Sequence, residues 1–324
     1  MPEGAGGAQG SKLTITVPRD YLFRRDLCSY GYFLLAPNRW DPESQTLHRV
    51  FEIGGPGRWG LTRVRIDQPS GQAGGAVRVR CDRKLERSDV ALARAGVVRM
   101  LNLDDEGIGA FHEIAPEFRA SGRGRLFRSP TLFEDVIKTV TSCNVAWTST
   151  IRMNERLCAV VNPAFPRASQ LARRRPGTLR ARCGVGYRDT RMVELARLFS
   201  TGADAVAGLE DGARPDDEVY AQLLKLPGIG PYAASNIMQL LGRYGHLPVD
   251  TETMRHARAV LGMEGGDREL RRRVEEHYGG YGLHRFRAYW FELWADYERR
   301  RGPAWTWDPK TTGKTFTASA LRDD

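Results

Sequence analysis

Leu226-Pro227-Gly228-Ile229-Gly230-Pro231-Tyr232-Ala233-Ala234-Ser235-Asn236 and, after a short helical run, His246-Leu247-Pro248-Val249-Asp250-Thr251 decide how this chain is read. The first stretch has the form of a tight glycine-rich turn between two helices. Pro227 and Gly228 end one helix, Gly230 lets the backbone turn sharply, and Pro231 stands at a favoured first helical position. Such a turn leaves backbone N–H groups unpaired at a helix start, where they can hold a phosphate. The second stretch sets a lone carboxylate, Asp250, just ahead of another helix, 20 residues beyond Gly230.

Around this pair of motifs the chain changes character once. From Leu13 to about Arg80 the segments 13–17, 32–35, 46–53, 61–66 and 76–80 are β-branched or alternating, with glycine- and proline-rich breaks at 54–57 and 69–75. Arg63 and Arg65, and Arg78 and Arg80, alternate along two of them, as expected of a solvated or a phosphate-facing strand face. After about residue 85 the apolar spacing is helical, with Thr131 capping a run over 132–140. Further helices are expected over 148–161, 190–200, 216–225, 231–244, 251–261, 268–277 and 283–300, the last carrying Phe286, Tyr289, Trp290, Phe291, Trp294 and Tyr297. The expected fold class is α+β. A disordered tail (1–11) precedes an N-terminal antiparallel β-sheet domain (12–103), and a mainly α-helical core (104–302) holds the hairpin at 224–232 and a loop at 246–253. A loosely packed tail (303–324) follows.

Composition narrows the partners. Lys and Arg outnumber Asp and Glu by 49 to 39, a net charge of +10 that suits a polyanion, although an arginine-rich protein from a GC-rich genome would look similar. No apolar run approaches the ~18 residues a bilayer requires. The N-terminal residues carry no signal-peptide core, so a cytoplasmic location is expected: nucleoid-associated in a bacterium, nuclear in a eukaryote. Cys28, Cys81, Cys143, Cys158 and Cys183 are scattered and odd in number, which argues against disulfides, structural zinc and an iron–sulfur cluster.

The glycine turn followed at this spacing by a single acid resembles the helix-hairpin-helix, Gly/Pro-Asp family of DNA glycosylases, in the 8-oxoguanine and 3-methyladenine branch without an iron–sulfur cluster. The likeness covers roughly residues 13–300. It is strongest to plant and bacterial members sharing the motifs Cys143-Asn144-Val145-Ala146-Trp147, Gly186-Tyr187-Arg188, Asp250-Thr251-Glu252-Thr253-Met254-Arg255-His256 and residues 288–294. The resemblance implies that the hairpin amides of Gly228 and Gly230 hold a DNA phosphate. It also implies that the carbonyls of Leu224, Leu226 and Ile229 can coordinate a structural Na⁺ or K⁺; no other cofactor is required. Asp250 is then the catalytic acid that stabilises the positive charge developing on the sugar and orients water, its plainer role being a helix N-cap.

In lyase-type relatives a Lys two residues after Gly230 attacks the sugar. Here that position is Tyr232, which cannot form an imine, and Lys225 lies in the preceding helix. A monofunctional enzyme leaving an abasic site is therefore expected. Asn144 matches the position that fills the gap left by a flipped base, Tyr187 an aromatic wedge, and Arg188 a donor to the orphaned base. A helix-end cap and a packed loop aromatic are the plainer readings of Asn144 and Tyr187. Ser149 replaces a second Arg of the 8-oxoguanine enzymes, which puts strict selection of the opposite base in doubt.

The base pocket is expected between the hairpin helix and the aromatic C-terminal helix, lined by Tyr232, Asn236, Glu252, Phe286 and Trp290, although core packing accounts for aromatics there as well. The partner is double-stranded DNA holding a damaged or modified base, met by a monomer. The base itself stays open: an alkylated purine, an oxidised purine, or a modified pyrimidine of phage DNA, which would make the enzyme one of defence. A non-catalytic hairpin module that only binds DNA is the alternative of another class.

Overall fold

The computed structural model describes residues 10–55 and 57–315. Residues 1–9 of the expected N-terminal tail, and 316–324 at the other end, lie outside them. Five strands, β1 (Lys12–Thr16), β2 (Arg39–Asp41), β3 (Thr46–Ile53), β4 (Gly60–Asp67) and β5 (Ala76–Cys81), form one antiparallel sheet in the order β1-β5-β4-β3-β2. Alternation fixes the register. Leu47 pairs with Ile66 and Ile66 with Val79, so that one face is apolar. Arg63, Arg65, Arg78 and Arg80 stand on the exposed face, where Asp67 pairs with Arg78 and Arg80, each at 2.7 Å. The expected tail ends sooner than read: the Ser11 amide donates to Arg83 (3.0 Å), and its hydroxyl accepts from the Leu85 amide (2.8 Å).

Of residues 32–35, read as a strand, the first three instead fall in a 3₁₀ turn, Gly31–Leu34, with all four residues of the turn buried. A short fully apolar run signals burial but does not by itself choose between strand and helical turn.

Helices occupy the rest. The first seven are α1 (Phe23–Leu27), α2 (Arg87–Met100), α3 (Ile108–Ile114), α4 (Leu132–Ser142), α5 (Trp147–Val160), α6 (Ala168–Leu171) and α7 (Pro176–Cys183). The others are α8 (Asp189–Thr201), α9 (Asp216–Leu224), α10 (Pro231–Leu240), α11 (Thr251–Ala259), α12 (Asp267–Gly279), α13 (Arg285–Arg301) and α14 (Thr312–Thr315). Their ends follow local chemistry. Thr131 caps α4 by accepting from the Glu134 amide, Pro176 and Pro231 open α7 and α10, and Gly184 and Gly202 close α7 and α8 in the left-handed conformation. Among the described residues no helix is long and apolar enough to cross a membrane.

Two apolar cores result. One unites the sheet with α2, α3 and α11–α13; the other is built by α4–α10. The aromatic helix α13 thus belongs with the N-terminal sheet, and the helical part is two half-units on either side of a seam. Residues 303–315, part of the segment expected to be loosely packed, are anchored. Trp307 is 1% exposed and lies 5.4 Å from the Trp294 ring, and the Trp147 indole donates to the Gly313 carbonyl at 3.0 Å.

Candidate active site

The hairpin joins α9 to α10 through residues 225–230. Its turn is closed by the Ile229 amide donating to the Leu226 carbonyl (3.1 Å). The glycine that makes the turn is Gly228, at φ +74°, and not Gly230, whose φ of −95° and ψ of −177° are extended. A Cβ on Gly228 would stand 2.5 Å from the Arg191 side chain, whereas one on Gly230 would meet nothing within 4 Å. Gly230 is instead the residue before Pro231, and no side chain caps the amides of α10. The carbonyl-bearing residues Leu224, Leu226 and Ile229 all fall in or beside this turn. The Leu226 carbonyl already accepts one hydrogen bond, which leaves a second lone pair for a cation.

Asp250 is the N-cap of α11. Its Oδ1 accepts from the amides of Glu252 (2.9 Å) and Thr253 (3.0 Å) and from the Thr253 hydroxyl (3.1 Å). Thr253 Oγ1 in turn accepts from the Asp250 amide (3.2 Å) and lies 3.0 Å from the Tyr289 hydroxyl. One carboxylate oxygen is therefore saturated by the helix start, which fixes the rotamer, and Asp250 borders a cavity of about 850 Å³ at the seam of the two cores. The capping contacts of Asp250 engage Oδ1 and not Oδ2, so the N-cap role does not exclude a further one.

Tyr232, in the first turn of α10, also lines this cavity. Burial, and then the neighbouring Asp250 charge, push its phenol well above the ordinary value of 10.0, so it is a neutral hydrogen-bonding group beside the acid. Asn236, one turn further, donates to the Tyr232 carbonyl (2.9 Å) and meets the Tyr30 hydroxyl at 3.4 Å. Glu252 reaches the same cavity but is paired with Arg255 (2.6 Å), which also binds the buried Asp296. Trp290 lines it too, its indole donating to the Ser29 carbonyl (2.8 Å).

Phe286 does not. It is fully buried, 5.8 Å from the Trp290 ring on the side of Tyr244, and belongs to the core; helical spacing gave it the same direction as Trp290, but one turn earlier the helix is already covered. The cavity gains walls absent from the sequence-based candidates: Tyr30 and Tyr32 from the N-terminal turn, Trp147 from α5, and Tyr289, Trp294 and Tyr297 from α13. The α13 aromatics were visible as a stripe. Nothing in the sequence ties Tyr30 and Tyr32 to a site some 200 residues away.

Two loops rise beside the cavity. Asn144, exposed at φ +53°, lies between α4 and α5 on the cavity rim. Tyr187, 53% exposed, sits in the 3₁₀ turn Gly186–Arg188. Arg188 departs from its expected role as a donor to DNA: it is 5% exposed, and its guanidinium donates to the carbonyls of Val140 (3.0 Å) and Cys143. The sequence places the residue correctly in the turn but cannot say which way its side chain points. Ser149 is half-buried in the first turn of α5, and Lys225 is exposed at the end of α9, outside the cavity wall.

No family model and no curated protein matches the chain in sequence. Solved structures do match. The 3-methyladenine DNA-glycosylase from Archaeoglobus fulgidus aligns with a TM-score of 0.66 at 17% identity, over 88% of this chain and 98% of that one. The fold is that of the DNA glycosylases. The 8-oxoguanine glycosylase/lyase of Clostridium acetobutylicum in its apo-form gives 0.65 at 14% identity, over 88% and 98% of the two chains. Its complex with double-stranded DNA containing cytosine opposite 8-oxoG gives 0.59 at 13%, over 84% and 93%.

On this glycosylase fold the cavity is chemically one-sided. Its lining holds two carboxylates, Asp250 and Glu252, several aromatic faces, and no Lys, Arg or His. It can stack a flat ring, favour positive charge, and set a carboxylate against a group docked at its mouth. No Lys of the described residues lines it. Among the described residues no cluster of three or more His, Cys, Asp or Glu could hold a metal.

Proposed function

We propose that the chain is a monofunctional DNA glycosylase, acting as a monomer, that rotates a damaged or modified base out of duplex DNA and hydrolyses its N-glycosidic bond with water. The observation that carries this reading is Asp250, fixed by its own helix start at the mouth of an aromatic cavity one hairpin away from a turn of uncapped amides. The amides of the Gly228–Gly230 turn hold a backbone phosphate, with a monovalent cation on the carbonyls of Leu224, Leu226 and Ile229 stiffening it. The flipped base stacks among Tyr30, Tyr232 and Trp290. As the base departs, positive charge grows on the sugar and the Asp250 carboxylate opposes it, while its second oxygen orients the water.

A phenol at Tyr232, where an amine would be needed, supports hydrolysis over imine chemistry. A lining of aromatic faces with the Asp250 carboxylate at its edge supports a base that carries positive charge, such as a ring-alkylated purine, since π-faces and a carboxylate both favour it. The test is to incubate the protein with alkylated, oxidised and phage-modified DNA and to identify the released base by mass spectrometry. The strand is expected to stay intact until alkali or heat is applied, and borohydride to trap no covalent complex. A stoichiometric trapped complex would overturn the hydrolytic reading, and release of no base from any DNA would overturn the enzyme.

A further inference from the structure

Arg188 is buried between two exposed side chains, and its contacts tie them together. The edge of its guanidinium faces the end of α4: Nε donates to the Val140 carbonyl at 3.0 Å, and Nη2 to the Cys143 carbonyl. Those carbonyls belong to the last turn and the C-cap of α4, where a helix leaves oxygens without internal partners and where positive charge is favoured. The Asn144 loop leaves directly from this capped end. A third donor, Nη1, reaches the Val185 carbonyl (3.4 Å) at the start of the arginine's own turn, and the guanidinium carbon lies over the Tyr187 ring, 4.4 Å from its centroid, with Arg191 over the same ring at 5.5 Å. One guanidinium thus holds the base of the Asn144 loop through its N–H donors and also contacts the Tyr187 ring, which Arg191 flanks further out.

We propose that Arg188 is a positioning residue that fixes the separation of Asn144 and Tyr187, so that the two enter a duplex as one preformed tool, and that it does not read the orphaned base. This rests on the glycosylase reading above. Were Arg188 to turn outward toward a base, two carbonyls at the end of α4 would lose their partner. Were the loops unconnected, each would have to be ordered during binding, at a cost in conformational entropy.

The probe is a duplex carrying a tetrahydrofuran abasic analogue, compared with the matched intact duplex, with each of the four bases placed opposite the analogue. Full-length wild type, Arg188→Met, Arg188→Lys, the double variant Asn144→Ala/Tyr187→Ala, and the triple variants are titrated at fixed salt. Arg188→Met is expected to lower the preference for the analogue duplex about tenfold, equally for all four opposite bases. On the double-variant background it is expected to add less than about twofold. Arg188→Lys is expected to fall between, since an ammonium can hold a carbonyl but offers Tyr187 no planar face. It carries the same comparison if Arg188→Met does not fold. A loss confined to one opposite base would show a reader and overturn the proposal. Full additivity with the double variant, or an unchanged preference, would overturn it as well. A wild-type protein that binds both duplexes alike would instead overturn the glycosylase reading.

Discussion

Under the proposed function Asp250 serves two ends. Its Oδ1 satisfies amides that α11 would otherwise leave open, and this immobilises the acid at the cavity mouth. Asp250→Asn keeps an oxygen for the cap and loses the charge. Single-turnover base release is expected to fall at least about a hundredfold with DNA affinity retained. Tyr289→Phe removes only the hydroxyl that steadies Thr253. A loss of roughly threefold to tenfold in the same rate, with binding unchanged, would mark a positioning effect. Tyr232 gives a pH prediction. Its folded value is raised, so the phenol is still protonated where a free tyrosine begins to ionise, and it contributes no alkaline limb up to about pH 9. A rate profile breaking below that and removed by Tyr232→Phe would contradict this. The sequence gives away Asp250 and Tyr232 because their positions relative to the hairpin are local. It hides the Arg188 contacts because a side chain's direction depends on which carbonyls lie unpaired nearby.

At the scale of elements, the two hairpin glycines separate folding from contact. Gly228 sits at positive φ and its Cβ would press on Arg191, so Gly228→Ala is expected to cost at least about 1 kcal/mol of stability, measured by urea unfolding. Gly230 has ordinary dihedrals and open space at its Cα. Gly230→Val is therefore expected to change stability by less than Gly228→Ala while weakening affinity for all DNA sequences alike in a titration at fixed salt. Which glycine bends the chain was not legible, because both stand in the same five residues and only backbone geometry tells them apart. The long elements were legible from periodicity: β3 matches its expected bounds, and α4, α8 and α13 lie within two residues of theirs. The buried turn at Gly31–Leu34 was not, since continuous apolarity has no period to read.

The molecule as a whole is held at its seam by charge as well as by apolar packing. Glu134 of α4, 4% exposed, pairs with Arg49 of β3 at 2.6 Å and with Lys138 at 2.7 Å. Burial works against its ionisation, yet the two cations keep its carboxyl below the ordinary range. Glu134→Gln would strand two buried cations and is expected to destabilise the fold by about 3–5 kcal/mol, read by urea unfolding at neutral pH. That long-range pairing was invisible in a one-dimensional pattern, as was the return of α13 to the sheet. The anchoring of Trp147 by Gly313 has a consequence in time. A chain leaving the ribosome has the hairpin and Asp250 in hand some sixty residues before the turn that braces the cavity wall emerges. Under the proposed function, a chain that has not yet released residue 313 carries the grip and the acid without the contact that braces Trp147.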